Sequence, residues 1–152
     1  MLGKWAANSI SSSMIVRKII FFFFLLGMGA CNENTPIPDF PNVIVNEQIN
    51  LTNIQYNKLR QDNGYVYLTA GARGIIVIRR SATQYVAIER TCTYDSQNTC
   101  AQVEVDASGF YLIDACCGSQ FDLLGQVLKG PATYPLRQYA TALSGNFLYI
   151  TN

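Results

Sequence analysis

Asp114-Ala115-Cys116-Cys117-Gly118-Ser119-Gln120-Phe121-Asp122 is the stretch on which the fold turns, and it runs directly into Gly125, Val127 and Gly130-Pro131-Ala132, with Pro135 and Leu136 behind them. Glycine, proline and serine at these positions set turns. On either side the text is strand-forming, with Phe110 to Ile113 before it and Phe121-Asp122 after it. Asp114 to Ser119 is therefore a loop inserted between two strands. Cys92 to Cys100 is a second such insertion, and both are expected at one tip of the β-structure, the kind of loop surface where function usually sits.

Outward from these loops the chain is strand upon strand. Val43 and Val45 alternate in a first strand, and Leu51-Thr52-Asn53 reads as an N-cap for a single short helical stretch over Ile54 to Leu59. Tyr65 to Leu68, Ile75 to Ile78 and Tyr85 to Ile88 are β-branched and aromatic runs separated by turn residues. Val103 and Val105, Leu136 to Leu143 and Phe147 to Ile150 continue the series, with turns at Ser108-Gly109 and Ser144-Gly145-Asn146. Short strands at this spacing predict an all-β fold, a small antiparallel sandwich or barrel.

Read with Cys92-Thr93-Tyr94, the quoted stretch resembles the Rieske domain, whose Cys-x-His and Cys-x-x-His loops hold a 2Fe-2S cluster between two thiolates and two imidazoles. The resemblance covers roughly residues 43 to 152 and is most specific from Cys116 to Leu136. It implies that Cys92 stands at the first ligand cysteine and Tyr94 at the first histidine, with Asp114 at the second cysteine and Cys117 at the second histidine. Gly130-Pro131-Ala132 falls on the lid loop over the cluster. Phe121 replaces a tyrosine whose hydroxyl tunes the cluster in some members. Only Cys92 is retained in kind, and the chain has no histidine at all. Phenol and carboxylate are hard oxygen donors, poorly matched to a sulfide-bridged iron. A Rieske-type domain without a cofactor is the expectation, and a 2Fe-2S electron carrier with altered ligands is the alternative.

The cysteines also suggest a different kind of staple. If Cys31 is consumed by lipid, four thiols remain, an even number. A bond between the neighbours Cys116 and Cys117 would strain the peptide, which leaves Cys100–Cys116 with Cys92–Cys117, or the crossed pairs. The resemblance favours the first, because many members of the family carry a disulfide between the loops and Cys116 occupies its second-loop position. No Cys-x-x-Cys motif at a helix N-terminus points to thiol exchange.

The first residues address the chain. Arg17-Lys18 precedes the apolar run Ile19 to Leu26, of signal-peptide length and too short to span a bilayer. Gly27-Met28-Gly29-Ala30-Cys31 then looks like a bacterial lipoprotein signal, with Cys31 as the lipidated residue. Residues 1–30 are thus expected to be a signal peptide, with Met14 as an alternative start, 31–41 a proline-rich lipidated tether, and 42–152 the β domain. That places the domain in a bacterial cell envelope, attached to the membrane through its N-terminal lipid.

Charge excludes other classes. Of 11 basic side chains, Lys4, Arg17 and Lys18 precede Cys31, leaving 8 against 10 acidic ones and a net charge of −2. No basic stripe for nucleic acid exists, and Arg73 and Arg79-Arg80 read as solvated strand-end charges. Without histidine there is no Ser-His or Cys-His pair, and Asp106, Asp114 and Asp122 are dispersed, so no enzyme is expected. The function that fits is a structural or binding module, with a protein partner at the loop tip.

Overall fold

The structure, a computed structural model, describes residues 41–152. The stretch read from sequence as a signal peptide, the expected lipidation site Cys31 and the expected tether up to Asp39-Phe40 lie outside the described residues. In chain order the elements are β1 (Asn46–Asn50), a 3₁₀ helix (Ile54–Arg60), β2 (Tyr65–Leu68), β3 (Ile75–Arg79), β4 (Tyr85–Glu89), β5 (Val103–Val105), β6 (Leu112–Asp114), β7 (Gln120–Phe121), β8 (Val127–Lys129), β9 (Gln138–Ser144) and β10 (Phe147–Thr151). They form a six-stranded sheet in the order β1-β10-β9-β4-β3-β2 and a four-stranded sheet in the order β5-β6-β7-β8. Every pairing is antiparallel, as the strand spacing predicts. The small sheet is an insertion between β4 and β9, which themselves pair through Ala87 and Ile88. Among the described residues no helix is long and apolar enough to cross a membrane.

β3 explains how the layers hold. Its run Ile75-Ile76-Val77-Ile78 is buried throughout, because alternate side chains point to opposite faces and both faces are covered. Ile76 and Ile78, with Ile88 of β4, pack against Val103, Leu112, Phe121, Ala132 and Leu136 from the small sheet and its connections. Ile75 and Val77 face the other way, onto Leu59, Ala87, Tyr139, Leu148 and Ile150. Cys92 belongs to the first of these clusters, so the tip loops grow directly from the core.

Some elements begin elsewhere than the sequence suggests. The first strand starts at Asn46, and Val45 instead packs in the core with its N–H donating to Asn152 Oδ1 at 3.1 Å. The helical stretch is 3₁₀, with Tyr56 off helical angles at φ −105° and ψ 15°. Seven residues are too few to establish an α-helix of their own. Asn53 sits at its N-cap without a side-chain bond, while Asn50 Oδ1 takes the Thr52 N–H and hydroxyl. β6 omits Phe110, which is exposed, and β9 starts only at Gln138, because the Leu136 N–H is committed to the Gly125 carbonyl at 2.8 Å.

A buried carboxylate ties three segments together below the tip. Glu89, at the end of β4, is 1% exposed and accepts from Tyr139 Oη (2.7 Å), the N–H groups of Ala72 (2.8 Å), Arg73 and Thr91 (both 3.0 Å), and Thr91 Oγ1 (3.0 Å). Burial alone would raise its pKa, but these donors together outweigh that and hold it below the ordinary 4.5. Burial and the adjacent Glu89 carboxylate push the Tyr139 phenol the other way, upward. Gly71, at φ +81°, makes the close approach feasible, since a Cβ there would lie 2.5 Å from Glu89 Oε2.

Because the fold holds the ionised form, Glu89's contribution is present above pH 4.5 and lost as pH falls through its lowered native value. Glu89→Gln turns an amide toward backbone donors and is expected to cost about 1–3 kcal/mol at neutral pH. Denaturant unfolding of both proteins should show that difference shrinking as pH drops below 4.5; a pH-independent difference would contradict the assignment.

Candidate functional site

The first tip loop leaves the large sheet just after Glu89. Thr91 bridges to Gln102, and Cys92, fully buried, donates its N–H to the Ala101 carbonyl at 3.1 Å, which closes the base of the loop. Its far side is folded on itself by Asn98, whose N–H reaches the Asp95 carbonyl at 2.9 Å and whose Oδ1 accepts the Cys100 N–H at 3.3 Å. Arg73 braces the loop from outside through Nη1 to Thr99 O (2.6 Å) and Nη2 to Ser96 O (3.2 Å). It is a structural strut rather than the solvated charge expected from sequence. Arg79 is likewise engaged, bonding the carbonyls of Leu59 and Arg60 and pairing with Asp62 at 3.2 Å.

The second loop begins with Asp114, the last residue of β6 and fully buried. Its carboxylate folds the loop: Oδ1 accepts the Cys116 N–H at 2.7 Å, and the main chain closes through Gly118 N–H to Asp114 O (2.8 Å) and Asp114 N–H to Ser119 O (3.0 Å). Gly118 takes φ +78°, which a side chain would disfavour. Ser119 Oγ then accepts the Ala132 N–H at 2.9 Å, and Thr93 Oγ1 donates to the Tyr134 carbonyl at 2.6 Å. The segment containing Gly130-Pro131-Ala132 is thereby fastened to both loops, with Ala132 buried and Pro131 on the wall of a recess of about 250 Å³. Tyr94, Asp95, Asn98, Asp114, Cys116 and Cys117 line the same recess.

Of the four thiols weighed from sequence, Cys100 and Cys116 are joined as a disulfide, with Cα atoms 5.7 Å apart and a sequence separation of 16. The second bridge expected there is not formed: Cys92 and Cys117 are thiols whose sulfurs lie 3.8 Å apart. Each has other partners. Cys117 Sγ lies 3.3 Å from Asp114 Oδ2 and 3.0 Å from Ser119 Oγ, and the Ser119 N–H points at it from 3.4 Å. The Cys92 thiol is pushed well above its usual range, first by burial and then by the Asp114 carboxylate, against a lowering bond from the Tyr94 N–H. One donor atom from each of Cys92, Asp114 and Cys117 thus falls within 4.8 Å of the others. Tyr94 stands beside this group at 47% exposure. Glu89 at the root of the first loop and Arg73 on its outer side gave no sequence signal beyond their charge.

No family model matches the chain, and no curated protein does. Among solved structures it is similar to the cyanobacterial plasma membrane Rieske protein PetC3 from Synechocystis PCC 6803, at 31% identity and a TM-score of 0.50, over 59% of this chain and 87% of that one. Two antiparallel sheets with paired loops at one tip, joined by a disulfide, make this a Rieske-type fold. The chain belongs to the Rieske protein family.

Alkylation of the unfolded, unreduced protein followed by mass mapping is expected to label Cys92 and Cys117 and to spare Cys100 and Cys116. Protection of all four would mean that the second bridge forms. Cys100→Ser should cost on the order of 2–5 kcal/mol and lower the melting temperature by several degrees.

Proposed function

We propose that this protein is a bacterial envelope lipoprotein whose Rieske-type domain carries no 2Fe-2S cluster and serves as a structural or binding module. The observation that carries this reading is the donor set at the tip. A Rieske centre needs two imidazoles on one iron, and the chain has none to offer. Cys92 and Cys117 fall on positions that serve different irons in the family, yet their sulfurs are 3.8 Å apart, the span of two ligands on one atom. Asp114 uses one carboxylate oxygen to accept the Cys116 N–H, and its other oxygen is a hard donor poorly matched to a sulfide-bridged iron. These residues do not fit a two-iron cluster, and no electron-transfer step is assigned to them.

The residues that correspond to a lid over iron have other work. Ser119 accepts the Ala132 N–H, and Thr93 donates to the Tyr134 carbonyl just beyond, so hydrogen bonds hold these loops together without metal. What remains at the surface is the recess beside Tyr94 and Pro131, which is the place for a protein partner to engage. Membrane attachment is assigned to acylated Cys31, in line with the plasma membrane location of the similar Rieske protein.

The protein purified from its own membranes is expected to be colourless, without iron or acid-labile sulfide. Stoichiometric amounts of both would overturn the reading. Cys31→Ser should move the protein out of the membrane fraction, since the acyl chains supply the attachment. Unchanged fractionation of that variant would count against lipidation.

A further inference from the structure

We propose that Cys92, Cys117 and Asp114 form a binding site for a single thiophilic divalent cation of the zinc type. The inference rests on the cluster-free reading above, because it gives the same thiols to a mononuclear ion.

The spacing fits such an ion. Zinc–sulfur bonds of about 2.3 Å and zinc–oxygen bonds of about 2.1 Å at a tetrahedral angle put two sulfurs about 3.8 Å apart and sulfur and oxygen about 3.6 Å apart. Cys92 Sγ and Cys117 Sγ are separated by 3.8 Å, and Cys117 Sγ and Asp114 Oδ2 by 3.3 Å. All three donors lie within 4.8 Å of one another, so one ion reaches them with small side-chain adjustments. Two sulfurs against one oxygen select a soft or borderline cation over calcium or magnesium, which take oxygen ligands throughout.

The surroundings orient these donors as ligand-supporting groups do in metal sites. Asp114 Oδ1 is fixed by the Cys116 N–H at 2.7 Å, which leaves Oδ2 turned toward the sulfurs. Backbone N–H groups of Tyr94 and Ser119 point at the sulfurs of Cys92 and Cys117 respectively, and so fix where each sulfur sits. Ser119 Oγ, itself held by the Ala132 N–H, steadies Cys117 from the other side at 3.0 Å. The fourth coordination position faces the recess lined by Tyr94 and Pro131, open to water or to a ligand atom from a partner. On loading, each thiol gives its proton to solvent and both sulfurs bind as thiolates, with no electron transferred. Two thiolates and a carboxylate around a dication leave a net charge of −1.

The test is a titration of the full chain, purified in detergent from its membranes and stripped with a chelator, using cobalt(II) as the coloured probe and zinc(II) as competitor. One equivalent of cobalt should produce a sulfur-to-cobalt charge-transfer band with the visible bands of tetrahedral cobalt, and zinc should abolish them. Cys117→Ser should lose most of the charge-transfer intensity, and Ser119→Ala should weaken binding by about 10–100-fold. No such band from a protein whose Cys92 and Cys117 alkylate as free thiols would overturn the inference, as would a disulfide between them. Those outcomes leave the cluster-free reading standing. Iron with acid-labile sulfide in the protein as isolated would overturn both.

Discussion

The arrangement of the tip depends on the Cys100–Cys116 bond. The β5–β6 pair sets Val103 opposite Asp114 and so places the end of the loop between β4 and β5 beside the start of the loop between β6 and β7. How the two loops face each other beyond that register is fixed by the covalent bond. A bridge spanning 16 residues removes roughly 3 kcal/mol worth of freedom from the unfolded chain in the chain-entropy account. It also fixes Cys116, and with it the adjacent Cys117, opposite the first loop. The hydrogen bonds from Asp114, Ser119 and Thr93 then lock the geometry that the covalent bond makes available. Beneath them, Glu89 holds the root of the first loop through Thr91, and Arg73 bears on its crest. The staple acts at the top and the carboxylate at the base.

Asp114 shows how one side chain serves both fold and site. A fully buried carboxylate is costly unless its oxygens are satisfied. Oδ1 meets the Cys116 N–H, which builds the turn, while Oδ2 lies 3.3 Å from the Cys117 sulfur, and the carboxylate also bonds the Cys92 thiol. The turn thus uses the oxygen that points along the main chain and presents the other to the pair of sulfurs.

Much of this was legible in the sequence, for identifiable reasons. The β-branched runs at residues 75–78 and 85–88 predicted strands because both faces of that part of the sheet are buried, and unbroken apolar text is the mark of such a strand. The clamp between Cys100 and Cys116 and the meeting of Cys92, Asp114 and Cys117 followed from a resemblance over roughly residues 43 to 152 that is most specific from Cys116 to Leu136. Glu89 could not be foreseen: its five donors come from Ala72, Arg73, Thr91 and Tyr139, which only tertiary folding assembles. The same holds for Arg73. Its neighbours in sequence suggested a solvated charge, and its partners Ser96 and Thr99 are 23 and 26 residues away. The missing Cys92–Cys117 bridge was a matter of local competition, since counting thiols says nothing of a carboxylate and a hydroxyl that occupy the sulfurs instead.

The central claim is that these loops are held by a disulfide and hydrogen bonds rather than by an inorganic cluster. Native-state amide hydrogen exchange on the metal-free protein addresses it most directly. The N–H groups of Cys92, Cys116, Gly118 and Ala132, each bonded within the tip, should be protected without iron and sulfide and should lose protection when the Cys100–Cys116 bond is reduced. Free exchange at these positions in the metal-free, disulfide-intact protein, with protection appearing only once a cluster is assembled, would contradict it.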